Sequence, residues 1–156
     1  MENNAAIKLG VVFSGGIAKG AYEVGFMSAL SRHRRFSVAA ISAASIGALN
    51  GYALSSGKLI EAETLWKSVD IKSVTGMYRQ LLKRHRIYEF VDKIFSEDDK
   101  LENPLYIVCL PASSVQPQYI LLNDLSAVDK EKFLKASISV PVVMEPVLIN
   151  GTKYFD

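Results

Sequence analysis

Residues 7–30 read IKLGVVFSGGIAKGAYEVGFMSAL, and this stretch decides the fold class. Residues 7–13 are mostly apolar and rich in β-branched side chains, a glycine pair follows at 15–16, and the remainder has the composition of a helix. The same order returns with a strand expected over residues 36–43, a short turn at 44–47 and a helix over 48–54. Two such units in succession predict a parallel sheet covered by helices, because parallel neighbouring strands need a crossover helix between them.

The rest of the chain continues the α/β pattern. Apolar residues at helical spacing predict further helices, and short apolar runs predict further strands. The helices are expected over 59–69, 78–95 and 128–137, the strands over 105–110 and 119–122, and a closing hairpin over 145–149 and 153–155. No repeat, low-complexity tract or linker interrupts these elements, so a single domain or part of one is expected.

Composition narrows the class of protein. The chain has 156 residues, of which 49% are hydrophobic, enough to bury one core. Its formal net charge of +2 is too balanced to favour nucleic acid or another polyanion as a partner. The single cysteine, Cys109, lies in an apolar run and predicts a buried strand without an internal disulfide. The first residues lack the pattern of a leader, and no apolar run approaches the ~18 residues of a membrane span, so we expect a soluble, cytoplasmic protein.

The turn Ala43-Ala44-Ser45-Ile46-Gly47 is a candidate nucleophile elbow. A sharp strand-to-helix turn exposes a serine hydroxyl, and the amides of the following helix point towards it. The usual pattern is Gly-x-Ser-x-Gly, and Ala43 replaces its first glycine here. The alternative is that Ser45 only caps the helix that follows.

The turn at residues 15–20 offers free backbone amides at a helix start, which suit a phosphate or the oxyanion of acyl transfer. It lacks the Lys-Ser/Thr ending of a P-loop and the glycine spacing of dinucleotide folds, so a nucleotide-binding domain is the minor interpretation. The other alternative is a purely structural turn.

In α/β-hydrolases the catalytic residues follow the chain order Ser, Asp or Glu, His. Both histidines of this chain, His33 and His85, lie in basic stretches before the last acidic residue, so neither can serve as the base of Ser45 in that order. A serine–carboxylate dyad remains, with Glu145 and Asp156 as the candidates near the closing hairpin.

Three motifs in this order resemble the patatin-like phospholipases. They are Ser14-Gly15-Gly16-Ile17-Ala18-Lys19-Gly20, then Ala43-Ala44-Ser45-Ile46-Gly47-Ala48-Leu49-Asn50, then Asn150-Gly151-Thr152-Lys153-Tyr154-Phe155-Asp156. The segment 136–141 also resembles the family's Ala-Ser-x-x-x-Pro stretch. The resemblance implies a three-layer α/β/α fold with a mainly parallel central sheet, of which residues 1–156 would form the N-terminal part of the catalytic domain.

The resemblance also implies a mechanism. Ser45 would attack the ester carbonyl of a lipid or phospholipid, and Asp156 would help to take up its proton. The amides around Gly15, Gly16 and Ile17 would form the oxyanion hole, with Lys19 anchoring the loop. The family's reaction needs no cofactor and no metal.

The sequence departs from the family pattern at Ile17, where a third glycine is usual, at Ala43, and at Asp156, where it stops within the closing motif. These departures favour the alternative of a catalytically silent module that binds lipid or a partner protein. We also expect a terminal Asp156 to fray. Activity would then depend on downstream residues, supplied covalently or by a second chain.

One further segment suits a membrane surface. The apolar residues Met77, Tyr78, Leu81 and Leu82 lie beside basic Lys83, Arg84 and Arg86, a mixture typical of an interfacial helix. A peripheral membrane contact is one interpretation, and a helix with one buried side is the other.

Overall fold

The computed structural model describes residues 6–69, 86–114 and 116–156. Residues 77–84, which supply every member of the predicted membrane-surface segment except Arg86, lie outside these ranges, as does the part of the predicted helix 78–95 before residue 86. Within them, no helix combines the length and the apolar content that crossing a bilayer requires.

Strands and helices alternate through the first half of the chain, as the sequence pattern predicts. The strands are β1 (Ile7–Phe13), β2 (Phe36–Ala43), β3 (Leu105–Pro111), β4 (Gln118–Leu121), β5 (Val147–Ile149) and β6 (Thr152–Phe155). The described helices are α1 (Lys19–Leu30), α2 (Ile46–Ser55), α3 (Leu59–Lys67), α4 (Arg86–Ile94) and α5 (Ala127–Ser137).

The strands form one mixed sheet in the order β1-β2-β3-β6-β5, with β4 paired to β3. Strands β1, β2 and β3 are parallel, whereas β4 and the β5–β6 hairpin pair antiparallel. The α/β class predicted from the sequence is confirmed.

The parallel register brings two turns together. Phe13, the last residue of β1, pairs with Ala43, the last residue of β2. Because parallel strands end at the same edge of a sheet, the glycine loop after β1 and the serine turn after β2 begin side by side. Strand β6 reaches the neighbourhood of this edge from the opposite direction, through the pair Leu110 and Phe155 on β3 and β6.

Helix α2 is the centre of the core. All of its residues except Leu54 are buried. It lies so close to β2 and β3 that a Cβ atom on Gly51 would be 3.0 Å from Leu105 Cδ1 and 3.2 Å from Ile41 Cγ2. The side chains on this face of the sheet, among them Ile41, Leu105 and Ile107, are almost fully buried. Because α2 follows Ser45 directly, the core fixes the helix that carries the candidate nucleophile.

Candidate active site

Ser45 occupies a strained turn between β2 and α2. Its backbone has φ 55° and ψ −138°, a region that residues other than glycine rarely enter and that costs about 1–3 kcal/mol. The turn is tight because Gly47 lies against β1, where an added Cβ atom would be 2.8 Å from both Phe13 Cβ and Phe13 O. Gly47 therefore allows the approach that brings the turn to the end of β1.

The Ser45 side chain does not cap α2. Although Ser45 is the N-cap residue of that helix, its hydroxyl makes no capping hydrogen bond. Instead, Ser45 Oγ donates to Asp156 Oδ2 at 2.6 Å. The two residues are 111 positions apart in the chain, and the fold brings them into contact. The interpretation of Ser45 as a capping serine is therefore wrong.

Asp156 is held by its backbone as well as by its side chain. Its N–H donates to the carbonyl of Ser139 at 3.0 Å, and the preceding strand β6 pairs with both β3 and β5. Our expectation of a frayed residue is wrong, because these bonds order it. Burial raises the pKa of the Asp156 carboxyl above its ordinary value, although the hydrogen bond from Ser45 lowers it in part.

The last residue of α5 and the segment that follows it support both members of the pair. Ser137 Oγ donates to the backbone carbonyl of Ser45 at 3.2 Å, while the carbonyl of Ser139 accepts from Asp156. Ser139 is itself anchored, because its hydroxyl donates to the carbonyl of Glu145 at 2.6 Å and lies 3.1 Å from the Tyr88 hydroxyl. Both serines are fully buried. The sequence pattern predicted no role for this segment beyond its resemblance to the Ala-Ser-x-x-x-Pro stretch.

The other candidates for the base lie elsewhere. Glu145 is exposed ahead of the β5–β6 hairpin, and Asp156 is the carboxylate that meets Ser45. His33 is exposed just after α1, whereas His85 lies outside the described residues. Burial, with a smaller effect from the Asp156 charge, raises the pKa of the Cys109 thiol to about 12, so this cysteine is not a competing nucleophile.

The glycine loop consists of residues 14–18 and lies against the serine turn. Gly15, Gly16 and Ile17 all have positive φ angles, of 73°, 98° and 33°. A Cβ atom on Gly15 would be 2.6 Å from Ala44 O and 2.8 Å from Ser45 Cβ, so no larger residue fits. Ile17 has a conformation that is strained for a β-branched residue, which explains why glycine would suit this position.

The amides of the loop differ in what they bind. The Gly15 N–H donates to Glu23 Oε1 at 3.2 Å. In the described part of the chain, no acceptor bonds to the N–H groups of Gly16 and Ile17. Lys19 supports the loop through its backbone, since its N–H donates to Gly16 O at 3.0 Å. Free amides in a loop that packs on the serine turn are candidate donors to an oxyanion.

Two residues of this site, Glu23 and Asn50, were missed as contributors. Asn50 Nδ2 donates to Glu23 Oε2 and to the carbonyl of Gly20, both at 3.0 Å, and Asn50 Oδ1 accepts from Trp66 Nε1 at 3.0 Å. Asn50 could have been found from the sequence, because it is a polar residue inside an apolar helical run and a buried polar group needs hydrogen-bond partners.

An apolar cleft of about 640 Å³ opens between β1 and α1 beside the loop. Its lining includes loop residue Ser14, Lys19 and Glu23, and most of the other lining side chains are apolar, such as Val12 and Phe26. Val12 is 76% exposed and Phe26 is 55% exposed. Among the described residues, no cluster of three or more His, Cys, Asp or Glu side chains could hold a metal ion.

Comparison with known proteins gives one family. The Patatin family model, described as patatin-like phospholipase, matches residues 11–156. The match covers the glycine loop, the serine turn, the segment after α5 and the closing hairpin. No curated protein matches the sequence at a significant level.

Proposed function

The chain belongs to the patatin-like phospholipase family, and on that premise we propose that it is a serine lipid acyl hydrolase in which Ser45 and Asp156 form a catalytic dyad. The observation that carries the proposal is the 2.6 Å hydrogen bond from Ser45 Oγ to Asp156 Oδ2. A nucleophile in hydrogen-bond contact with its base is the arrangement that acyl transfer needs.

In the first half of the reaction, Ser45 Oγ attacks the carbonyl carbon of the ester, and the hydroxyl proton passes to Asp156. The carbonyl oxygen becomes an oxyanion that accepts hydrogen bonds from the amides of Gly16 and Ile17. The tetrahedral intermediate then collapses. Its leaving alcohol takes the proton from Asp156, and an acyl group remains on Ser45.

In the second half, water replaces the alcohol. The water oxygen attacks the acyl carbon while Asp156 takes a proton from the water. The amides of Gly16 and Ile17 hold the new oxyanion. Collapse returns the proton to Ser45 and releases the carboxylic acid. Burial of Asp156 favours this role, because a carboxylate with a raised pKa is a stronger base than one in water.

The cleft that reaches Ser14 of the glycine loop supports an apolar substrate. The cleft beside the glycine loop is bordered by apolar side chains of β1 and α1. Such a lining suits the acyl chain of a lipid better than it suits a nucleotide, which would need several polar partners for its phosphates.

The proposal is tested by changing the nucleophile. Ser45→Ala should lower hydrolysis of a soluble aryl ester and of phosphatidylcholine vesicles by at least ~10³-fold, because it removes the attacking oxygen. It should also abolish labelling by a fluorophosphonate probe. Ser31→Ala is the matched control, since within the described residues the Ser31 hydroxyl bonds to the Ser28 carbonyl at the end of α1 and to no other group. Full esterase activity in Ser45→Ala would refute the assignment.

A further inference from the structure

Glu23 connects the glycine loop to the helix that follows the nucleophile. It lies on α1, and each oxygen of its carboxylate has its own partner. Oε1 accepts from the backbone N–H of Gly15 at 3.2 Å, and Oε2 accepts from Asn50 Nδ2 at 3.0 Å. Among the side chains that the structure describes, Glu23 is the only one with a hydrogen bond to the backbone of residues 14–18.

The orientation of Asn50 is fixed by its other partners. Trp66 Nε1 is only a donor, so it must face Asn50 Oδ1, at 3.0 Å. The carbonyl of Gly20 is only an acceptor, so it must face Asn50 Nδ2. These two partners fix the side-chain amide of Asn50, which is fully buried, so that the second N–H of Nδ2 points to position 23. A side chain there must accept from both Asn50 and Gly15, which a carboxylate can do.

The loop needs this support because its backbone is strained. Its three consecutive positive φ angles include that of Ile17, and such conformations persist only where surrounding contacts impose them. The bond from Gly15 to Glu23 fixes the peptide plane between Ser14 and Gly15. The directions of the next two amides, those of Gly16 and Ile17, depend on that plane and on the positive φ angles of Gly15 and Gly16, the first of which is held by close packing on the serine turn.

We propose that Glu23 is a positioning residue for the oxyanion hole. By accepting from the Gly15 N–H, Glu23 holds the loop so that the amides of Gly16 and Ile17 point towards the oxyanion. The Gly15 N–H, already bonded to Glu23, is not one of the oxyanion donors. The inference rests on the proposed function, since it assigns the donors of the same acyl-transfer site. Glu23 also connects these donors to α2 through Asn50, which lies on the helix that begins directly after Ser45.

The test uses the 156-residue chain with Glu23→Gln and Glu23→Leu. A glutamine can accept from Gly15 or from Asn50 but must turn its own N–H groups towards the other donor, and leucine accepts from neither. On a soluble aryl ester we expect kcat to fall ~10-fold in Glu23→Gln and ~100-fold in Glu23→Leu, with KM within about twofold, since loss of a single oxyanion donor costs ~10²–10³-fold. The rate of fluorophosphonate labelling of Ser45 should fall in the same order.

The control is Glu63→Gln on α3, where the partly exposed carboxylate pairs with Lys67 four residues on. It should change neither constant. Hydrogen exchange gives a readout independent of turnover, and the amides of residues 15–17 should exchange faster in Glu23→Gln than in the wild type. Should Glu23→Leu fail to fold, Glu23→Gln alone decides.

The outcomes separate the two proposals. Wild-type labelling of Ser45 with unchanged kcat and unchanged exchange in Glu23→Gln would overturn the positioning role and leave the dyad intact. A kcat loss that disappears when rates are normalised to folded protein would show a structural role and overturn the inference equally. Absence of labelling in the folded wild type would overturn the proposed function and this inference with it.

Discussion

Asp156 carries a carboxyl group that its surroundings make harder to ionise. Burial raises its pKa, and the bond from Ser45 opposes that shift without cancelling it. In the proposed reaction Asp156 accepts a proton, so only the ionised form is active. Its titration should therefore set the acid side of the pH dependence.

We predict that kcat/KM falls with decreasing pH through an inflection above ~3.9, the ordinary pKa of an aspartate. The sign follows from the base role, because activity appears as pH rises through the raised pKa of folded Asp156. Initial rates on a neutral aryl ester from pH 4 to 8 measure this, with circular dichroism to verify folding at each pH. An inflection at or below the ordinary value would contradict the burial effect.

Asp156→Asn should separate stability from activity. A raised folded pKa means that the contribution of this group to stability is present below the unfolded pKa and lost as pH rises through the folded one. At neutral pH the buried charge is therefore a cost. Asparagine removes that cost, so its Tm at pH 7 should equal or exceed that of the wild type, while hydrolysis is lost with the base.

The two residues of the proposed dyad could be predicted from sequence motifs, but the residues that support the site could not. Ser45 and Asp156 stand in motifs that resemble a family, so both could be predicted. Glu23 stands in an ordinary helical run, and nothing in its neighbours indicates that its oxygens face Gly15 and Asn50. Those contacts come from the packing of α1 on α2, which a periodic pattern does not specify.

At the scale of elements, the site depends on the contact between the glycine loop and the serine turn. Both follow parallel strands that end in register, at Phe13 and Ala43. Two close approaches, by Gly15 and by Gly47, then bring the backbones together. The loop can position its amides because it rests directly on the turn that carries Ser45.

Gly15→Ala should break this contact. The new methyl group would lie 2.6 Å from Ala44 O at a φ of +73°, so the loop must move away from Ser45. We expect at least ~2 kcal/mol of destabilisation, from backbone strain and from the clash, and at least a tenfold lower kcat. Urea unfolding and aryl ester kinetics measure the two effects.

Gly25→Ala is the matched control on α1. A Cβ atom there meets nothing within 4 Å. Alanine in a helix interior is favoured over glycine by ~0.5–1 kcal/mol, so this variant should be more stable than the wild type with unchanged kcat. If Gly15→Ala behaved like Gly25→Ala, the loop would be free of the serine turn.

The elements themselves were largely predictable, and their pairing was less so. Strand β2 has the bounds that its apolar run predicts, Phe36–Ala43. The turn at Asn150-Gly151 predicts the β5–β6 hairpin, which the structure contains. The pairing of β6 with β3 is a long-range contact without a local signal, yet it is this pairing that brings Asp156 to Ser45.

At the scale of the whole molecule, α2 joins two polar centres with different tasks. Its N-terminal end carries Ser45, and its C-terminal half carries Tyr52, whose side chain is fully buried. The Tyr52 hydroxyl donates to Asp99 Oδ2 at 2.8 Å, and Lys58 Nζ donates to the same oxygen at 2.6 Å. Burial, together with the hydrogen bond and charge of Asp99, raises the pKa of the Tyr52 phenol, which therefore remains neutral. This second centre ties α2 to the chain after α4, and none of its hydrogen bonds among the described residues reaches Ser45 or Asp156.

Changes at this second centre should affect stability and not chemistry. Tyr52→Phe leaves Asp99 with Lys58 and the Ser96 amide, so the loss should be ~1 kcal/mol, the usual net value of one hydrogen bond. Asp99→Ala should cost more, ~3 kcal/mol, because it leaves the partly buried Lys58 without its counter-ion. Urea unfolding gives both values, and kcat per fluorophosphonate-titrated site should remain that of the wild type. A lower kcat per titrated site in Asp99→Ala would mean that the two ends of α2 are coupled, and that the position of Ser45 depends on packing across the whole core.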